Sequence, residues 1–340
     1  MSVDSSRCFS DDEIAEALKY GATKLGLHDG FRSQQADALR AFFRGHDLFV
    51  SLPTGFGKSV LFQAAPFCSD YLRKNADGPG VSDPLKAIAL IVMPLKSLIS
   101  DQIHKVESFG SFGVDISGGM TDVIREGISS AKYSHIFASP ESLLDEDGRE
   151  MFTLLKNRHW ICGFFIDESH CVSKWGSSSG DTKAFRSAYS KLGEIRSKLR
   201  SGVPAVALTA TATREVRHAI IDSLGLRNFL WVNESPDKAN IKHIVMKSSS
   251  KDYDNIFRHV IDGVRDKGLF CERTIIYCQS RKTCSEVYAT FIALLPKDRH
   301  AYINMYHTNT ENDVQEKIIQ SMASPDGEVR VLIATVVGEG

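Results

Sequence analysis

No apolar run in the 340-residue sequence is long enough to span a membrane, so no membrane partner is expected. The N-terminus, MSVDSSRCFSDDEIAEALKYG, carries charges where a secretory leader needs an apolar stretch, and secretion is not expected either. Seven cysteines are present (Cys8, Cys68, Cys162, Cys171, Cys271, Cys278 and Cys284), but the number is odd, the spacing is scattered and no C-x-x-C pair occurs. That argues against a disulfide framework and against a structural zinc site. Reduced thiols suit the nucleus if the source is eukaryotic, or the cytoplasm if it is bacterial. Excess charge is missing too, because 41 basic residues face 42 acidic ones. Any nucleic-acid site must then be a local basic patch rather than a global field. Repeats and low-complexity tracts are absent as well. What remains is a globular composition, 42% hydrophobic and 24% charged, in a length that suits two domains.

The hydrophobic pattern predicts an α/β chain. Ser10 followed by Glu13 has the spacing of a capping box and opens an amphipathic helix that Gly21 should end, just past Tyr20. A second helix is expected over 33–43 and a third over 58–67. Apolar runs at 47–51, 87–93, 135–138, 160–166 and 205–208 alternate with helical patterns. They are apolar on both faces, as buried parallel strands are. Residues 74–84 carry Gly, Pro, Asp and Asn and read as an exposed loop. The pattern breaks around 226–242, where Asn233, Glu234, Ser235, Pro236 and Asp237 make a polar, turn-rich stretch. The expected division is a helical extension over 1–24, a first α/β domain over 25–230, a linker over 231–240 and a second α/β unit over 241–340. In the second unit, strands are expected at 241–246, 274–278 and 329–334, and helices near 254–267, 283–294 and 311–322. The unit stops straight after a strand and is expected to be incomplete.

Chemistry concentrates after the apolar runs. Pro53-Thr54-Gly55-Phe56-Gly57-Lys58-Ser59 follows one strand and opens a helix. Glycines let a backbone wrap a phosphate, and a helix N-terminus offers free N–H groups to it. Lys58 can reach the β- and γ-phosphates, and Ser59 can ligate Mg²⁺. Leu52 stands where the strict P-loop pattern has glycine. Asp167-Glu168-Ser169-His170 ends another strand. Two adjacent acids there are commonly a solvated loop. About a hundred residues behind a P-loop they read as a metal carboxylate, Asp167, and a water-polarising carboxylate, Glu168. Thr209-Ala210-Thr211-Ala212-Thr213 is by itself a helix-capping turn, but in order behind the other two it suits a sensor of the γ-phosphate. Upstream, Gln35 has an amide that can pair with adenine, and Phe31 or Arg32 can stack on the base.

Together these segments resemble the RecQ family of superfamily-2 helicases. Phe31, Arg32 and Gln35 resemble its motif 0, and L-P-T-G-F-G-K-S its motif I. Met93-Pro94-Leu95-Lys96-Ser97-Leu98, with Asp101 and Gln102, is similar to motif Ia, and Ala138-Ser139-Pro140-Glu141 to motif Ib. D-E-S-H differs by one residue from the common D-E-A-H and runs into Cys171-Val172-Ser173-Lys174-Trp175-Gly176, which looks like the family's aromatic-rich loop. Ile276-Tyr277-Cys278-Gln279-Ser280-Arg281 resembles motif IV, Tyr306-His307 the step that follows it, and Ala334-Thr335-Val336-Val337 the start of motif V.

The resemblance implies two RecA-like P-loop NTPase domains with parallel sheets. It implies a 3′→5′ DNA helicase that uses ATP and Mg²⁺ and works on single-stranded and duplex DNA in recombination and repair. Catalytic roles fall to Lys58, Asp167, Glu168 and His170. Nucleotide contacts fall to His28, Arg32, Gln35, Thr54, Gly55, Gly57, Lys58 and Ser59, with Ser59 and Asp167 on the metal. DNA contacts fall to Pro94, Leu95, Ser97, Ser139, Pro140, Trp175, Phe185, Arg186, Ser280 and Arg281, and coupling to Thr209, Ala210 and Thr211. Trp175 can stack on a base of single-stranded DNA. Lys183, Phe185, Arg186, Tyr189, Lys191, Arg196, Lys198 and Arg200 interleave basic and aromatic residues as a phosphate track does.

Departures keep other readings open. Ser177–Lys183 intervenes before the family's F-R segment, Val337-Gly338-Glu339-Gly340 is shorter than the usual motif V turn, and the arginines of motif VI are not in the sequence. The chain is then either a fragment of a longer helicase or a largely inactive ATP- or DNA-binding regulator. An RNA helicase of the same superfamily is the further alternative, and a P-loop kinase leaves the other motifs unexplained.

Overall fold

A computed structural model of the chain describes residues 9–77, 86–155, 159–172, 188–237, 240–247, 252–307 and 309–335. The chain divides into two compact units, Met1–Ile241 and Lys242–Gly340.

Among the described residues, the first unit is built on seven strands: β1 (Leu48–Ser51), β2 (Lys86–Val92), β3 (Gly113–Asp115), β4 (His135–Ala138), β5 (His159–Ile166), β6 (Ala205–Thr209) and β7 (Leu230–Asn233). They pair in the order β3-β4-β2-β5-β6-β1-β7. Every pairing is parallel. Alternate residues of the central strands feed two separate cores. Leu48 and Val50 join Ala87, Ala89 and Ile91 on one face. Phe49 joins Ile88, Leu90 and Val92 on the other. A strand buried on both faces must be apolar throughout, and this is why these runs are legible in the sequence.

Helices α1 (Asp11–Lys24), α2 (Ser33–Phe43), α3 (Val60–Asp77) and α4 (Lys96–Ser108) lie among the elements around this sheet. The capping box of α1 is present, with Ser10 N–H donating to Glu13 Oε2 at 2.8 Å and Glu13 N–H to Ser10 Oγ at 3.2 Å. Gly21 does not end the helix as expected. A Cβ there would meet Cys68 Sγ on α3 at 2.4 Å, so the glycine lets the two helices close on each other. Helix α3 also runs past 67, because Leu61, Ala65, Cys68 and Leu72 continue one buried stripe. It takes up 74–77 of the expected loop, and 78–85 lie outside the described residues.

The second unit holds a three-stranded sheet, β8 (Thr274–Cys278), β9 (Ile303–Tyr306) and β10 (Val331–Thr335), in the order β8-β10-β9. Both pairings are parallel. The strand expected at 241–246 does not form: these residues are irregular, and Ile244, Val245 and Met246 are exposed. An apolar β-branched run needs a partner edge to become a strand, and none of the described strands pairs with this one.

His135 is fully buried on β4. Its Nε2 lies 3.1 Å from Phe62 O and its Nδ1 2.8 Å from Ser134 Oγ. These partners fit a neutral ring that donates from Nε2 and accepts at Nδ1. Burial pushes its pKa down to about 4. The unfolded chain therefore binds a proton that the folded chain refuses, and stability falls as the pH drops from about 6.5 towards about 4. This contribution approaches about 1.4 kcal/mol per pH unit. Asp70 and Asp167, whose carboxyls burial raises to about 6, act with the opposite sign, so a paired comparison isolates His135. Denaturant melts across this range should show a shallower loss on acidification for His135→Gln than for the parent. Equal pH slopes would contradict the assignment.

Candidate functional site

Three adjacent strands, β5, β6 and β1, end side by side in the parallel register, and each carries one of the sequence motifs at its C-terminal end. Leu52 N–H donates to Thr209 O at 3.1 Å, and Asp167 N–H to Val92 O at 2.9 Å, so the strand ends are tied across the sheet. Parallel α/β sheets open their ligand crevice at the carboxyl ends of the strands.

The P-loop leaves β1 and turns on Gly55 and Gly57, with φ of 83° and 86°. Such positive values suit glycine. Among the described residues, the backbone N–H groups of Thr54, Gly55, Gly57, Lys58 and Ser59 donate to no protein acceptor. Lys58 Nζ donates to Leu52 O at 2.9 Å. Burial pulls the Lys58 pKa down, while the charges of Glu168 and Asp167 oppose that shift. The loop thus offers a cluster of free amides and a half-buried ammonium, an arrangement with the chemistry to hold an oligophosphate.

Burial raises the Asp167 carboxyl to about 6, and Glu168 adds to the rise. One Asp167 oxygen accepts from Glu168 N–H at 2.9 Å, and Glu168 sits at φ 46°, a strained value for a non-glycine residue. His170 Nδ1 lies 3.0 Å from Glu168 Oε2 and 3.2 Å from Thr209 Oγ1. Thr209 Oγ1 donates to Thr211 O at 2.8 Å and accepts from Thr211 N–H at 3.2 Å. Since the Thr209 proton is spent on Thr211 and the Glu168 carboxylate only accepts, the His170 proton belongs on Nδ1. A continuous polar path therefore joins Glu168 to the Thr209-Ala210-Thr211 turn.

Motif 0 lies against the P-loop. Gln35 is buried, and its Nε2 donates to Phe56 O at 3.0 Å and to Gly57 O at 3.1 Å. Its Oε1 accepts from Arg32 N–H at 2.9 Å. The Arg32 guanidinium stands 4.7 Å over the Phe56 ring and donates to Phe56 O at 3.3 Å. His28 is exposed in the turn before α2.

The expected nucleic-acid residues of the first unit lie on the neighbouring strand ends. Pro94 and Leu95 follow β2, with Leu95 exposed, and Ser139 and Pro140 follow β4. Ser139 Oγ caps the helix Pro140–Leu144 by accepting from Ser142 N–H at 3.2 Å. In the second unit Ser280 caps the helix Arg281–Leu294, and Arg281 is exposed. The Ser97 side chain, Trp175, Phe185, Arg186 and residues 336–340 lie outside the described residues.

Two members of the expected phosphate track prove to be structural. Tyr189 is fully buried and its hydroxyl points to Asp167 O at 3.4 Å. Arg196 holds Asp47 at 2.5 Å and donates to Leu224 O and Gly225 O at 3.0 and 2.8 Å. Asp47 in turn accepts from Ala205 N–H at 2.9 Å, at the opposite end of the sheet from the P-loop. Mixed basic and aromatic composition does not separate a surface track from anchors of this kind. Asp47 is also a buried polar residue that the motifs did not single out, and only its position just before an apolar strand hinted at it.

Among the comparisons with known proteins, residues 32–219 match the DEAD/DEAH box helicase family and residues 256–340 match the helicase conserved C-terminal domain. The chain belongs to the DEAD/DEAH box helicases. RecQ helicases are among its homologues. It is 31% identical over 293 residues to the ATP-dependent helicase wrn-1 of Caenorhabditis elegans, covering 85% of this chain and 25% of the relative. It is 29% identical over 340 residues to the RecQ-like DNA helicase BLM of Xenopus laevis, covering 97% and 22%. It is 25% identical over 313 residues to the ATP-dependent DNA helicase RecQ of Haemophilus influenzae, covering 91% and 44%. The chain therefore spans less than half the length of each of these relatives. Its fold is shared with the DUF1998 helicase MrfA bound to DNA, at a TM-score of 0.66 and 16% identity over 97% of this chain and 45% of that one. Saccharomyces cerevisiae Dbp5, solved with RNA and ADP BeF3, gives 0.60 and 16% over 96% and 75%.

Ser169 stands where D-E-A-H has alanine, and its hydroxyl is fully buried with no hydrogen-bond partner among the described residues. An unsatisfied buried hydroxyl costs about 1 kcal/mol or more. Ser169→Ala should raise stability by about 1 kcal/mol, or roughly 3 °C in the melting temperature of a unit this size. A calorimetric scan checks it, and a lower melting temperature would show that the hydroxyl has a partner.

Proposed function

We propose that this chain is the ATP-driven motor portion of a RecQ-type 3′→5′ DNA helicase. The observation that carries the reading is the alignment of three motifs on three neighbouring strand ends, two of them joined through the Glu168–His170–Thr209 contacts and the third through Leu52 N–H to Thr209 O. The free amides from Thr54 to Ser59 take the triphosphate, and Lys58 balances its charge. To do so Lys58 leaves Leu52 O for the phosphate oxygens. Ser59 Oγ and the second Asp167 oxygen have no protein donor or acceptor among the described residues. Both are hard oxygen ligands of the kind Mg²⁺ takes alongside phosphates. The metal would supply charge neutralisation at the β- and γ-phosphates.

Glu168 orients the attacking water and takes its proton. His170 fixes Glu168 through Nδ1 and links it to Thr209 and Thr211, so the state of the γ-phosphate side is felt at the turn that opens the helix Arg214–Leu224. The DNA strand lies over the ends of β2 and β4, beside the nucleotide strands, on Pro94, Leu95, Ser97, Ser139 and Pro140. Trp175, Phe185, Arg186, Ser280 and Arg281 add contacts, and His28 and Arg32 lie on the adenine side. The names of the homologues support DNA as the substrate class, and single-stranded and duplex DNA, acted on in the nucleus or the bacterial cytoplasm, complete the proposal.

Titrating a fluorescent ATP analogue into the parent and into Lys58→Ala tests the nucleotide half. Losing a charge-assisted contact of about 1.5–3 kcal/mol should weaken binding about ten- to a hundredfold. Unchanged binding would overturn the P-loop assignment. ATP hydrolysis measured with single-stranded DNA and with RNA of equal length tests the other half. Stronger stimulation by DNA is expected, and stronger stimulation by RNA would replace the substrate.

A further inference from the structure

Strand β7 stands at the end of the first unit's sheet, and no strand among the described residues pairs with its outer side. On its inner side Leu230 N–H donates to Asp47 O at 2.9 Å and Glu234 N–H to Ser51 O at 3.0 Å. Successive residues of a strand turn their backbone groups to opposite sides. The N–H and C=O of Trp231 and Asn233 therefore face outward, and no described residue bonds to them. Exposed edges are commonly guarded by charged side chains or proline. This one instead carries Leu230, 41% exposed, and Trp231, 48% exposed. They lie on opposite faces. Leu230 shares a cleft with α2, and Trp231 lies beneath the Arg217 guanidinium at 4.2 Å.

The cleft has a volume of about 350 Å³ and opens at the Leu230 end of the strand, where Arg40, Arg44 and His46 face a single acid, Asp37. Arg40 holds Asp37 at 2.9 Å and Arg44 holds Asp11 at 2.5 Å. Both pairs are exposed, so exchanging one carboxylate for another costs little. Arg227, also exposed, precedes the strand, and its guanidinium makes no hydrogen bond or ion pair among the described residues. Past the other end, Glu234 is engaged by Gln34 Nε2 at 2.5 Å. We propose that β7 is a docking edge for an extended acidic segment of a partner protein. The segment adds a strand to the sheet through the free groups of Trp231 and Asn233. Its alternate side chains rest on Leu230 and Trp231, and its carboxylates meet Arg40, Arg44 and Arg227. A nucleic-acid strand has no amide ladder to answer such an edge, and a second copy of the same edge would set arginine against arginine. The cleft lies at the amino end of β1 and β7, away from the P-loop, so docking needs no nucleotide.

Fluorescence anisotropy on the full chain tests this with a labelled peptide of about ten residues, alternating valine and threonine between flanking aspartates. One control peptide has lysine in place of aspartate, and a second has proline at alternate positions, which removes the N–H groups a strand needs. The parent should bind the acidic peptide saturably below about 1 mM and both controls about tenfold more weakly. Arg40→Glu combined with Arg44→Glu should reverse the preference between the aspartate and lysine peptides. Asn233→Pro removes one outward N–H and leaves the Glu234 bond to Ser51 O in place. It should weaken the acidic peptide about two- to tenfold. Melting temperatures identify a variant that has lost its fold, and the other variant then decides. No saturable binding by the parent overturns the proposal. So does a proline peptide that binds as well as the acidic one, because charge alone is then at work. A single-stranded oligonucleotide that displaces the peptide, and is itself weakened by the arginine changes, would make the cleft a phosphate site. A dimer in sedimentation that Asn233→Pro dissociates would give the edge to a second copy, and the proposal falls in that case too.

Discussion

Parallel pairing of β5, β6 and β1 is the constraint on which the rest of the site depends. It brings Asp167, Thr209 and Leu52 together at the carboxyl end of one sheet, though more than a hundred residues separate Leu52 from Asp167 in sequence. A slip of one residue in a parallel pair turns every side chain to the other face. Here the register is held by two-sided burial, since each strand alternates between two packed cores. Moving β6 against β1 would put apolar side chains of both cores in the wrong layer. The chemistry is thereby fixed by hydrophobic packing that takes no part in it.

Electrostatics then act on a frame that is already rigid. Lys58, Asp167 and Glu168 share a partly desolvated space, where burial disfavours the lysine's charge and the aspartate's alike. Each is offset by the other's opposite sign, which under the proposed function suits a phosphate and a cation arriving together. The buried Asp47 with Arg196 anchors the far end of the same strands, tying the starts of β1 and β6 as Leu52 and Thr209 tie their ends.

Much of this was legible in the sequence, and the gaps have physical causes. The central strands could be read because they are buried on both sides. The edge strand β7 overlaps the expected linker: its apolar residues stand beside the polar turn-rich stretch from Asn233 onward, and three of its four residues are exposed. The three-residue β3 is too short to carry a pattern. Residues 241–246 gave the opposite error, a strand-like composition without a partner edge. The motifs singled out the candidate site residues, but the partners of those residues were not legible. Gln35 could be singled out, yet its bonds to Phe56 and Gly57 come from tertiary packing. The His170–Thr209 contact likewise appears only when β5 and β6 are paired, and the buried roles of Tyr189 and Arg196 cannot be told from composition.

Under the proposed function, the carboxyl end of one sheet gathers the P-loop, the Asp167–His170 turn and the Thr209–Thr213 turn into a single site. Hydrogen exchange measured with and without Mg²⁺ and a non-hydrolysable ATP analogue tests this most directly. The account predicts that nucleotide slows exchange in all three segments over the same concentration range. Protection confined to one segment, or found instead at the Asp47 end of the sheet, would contradict it.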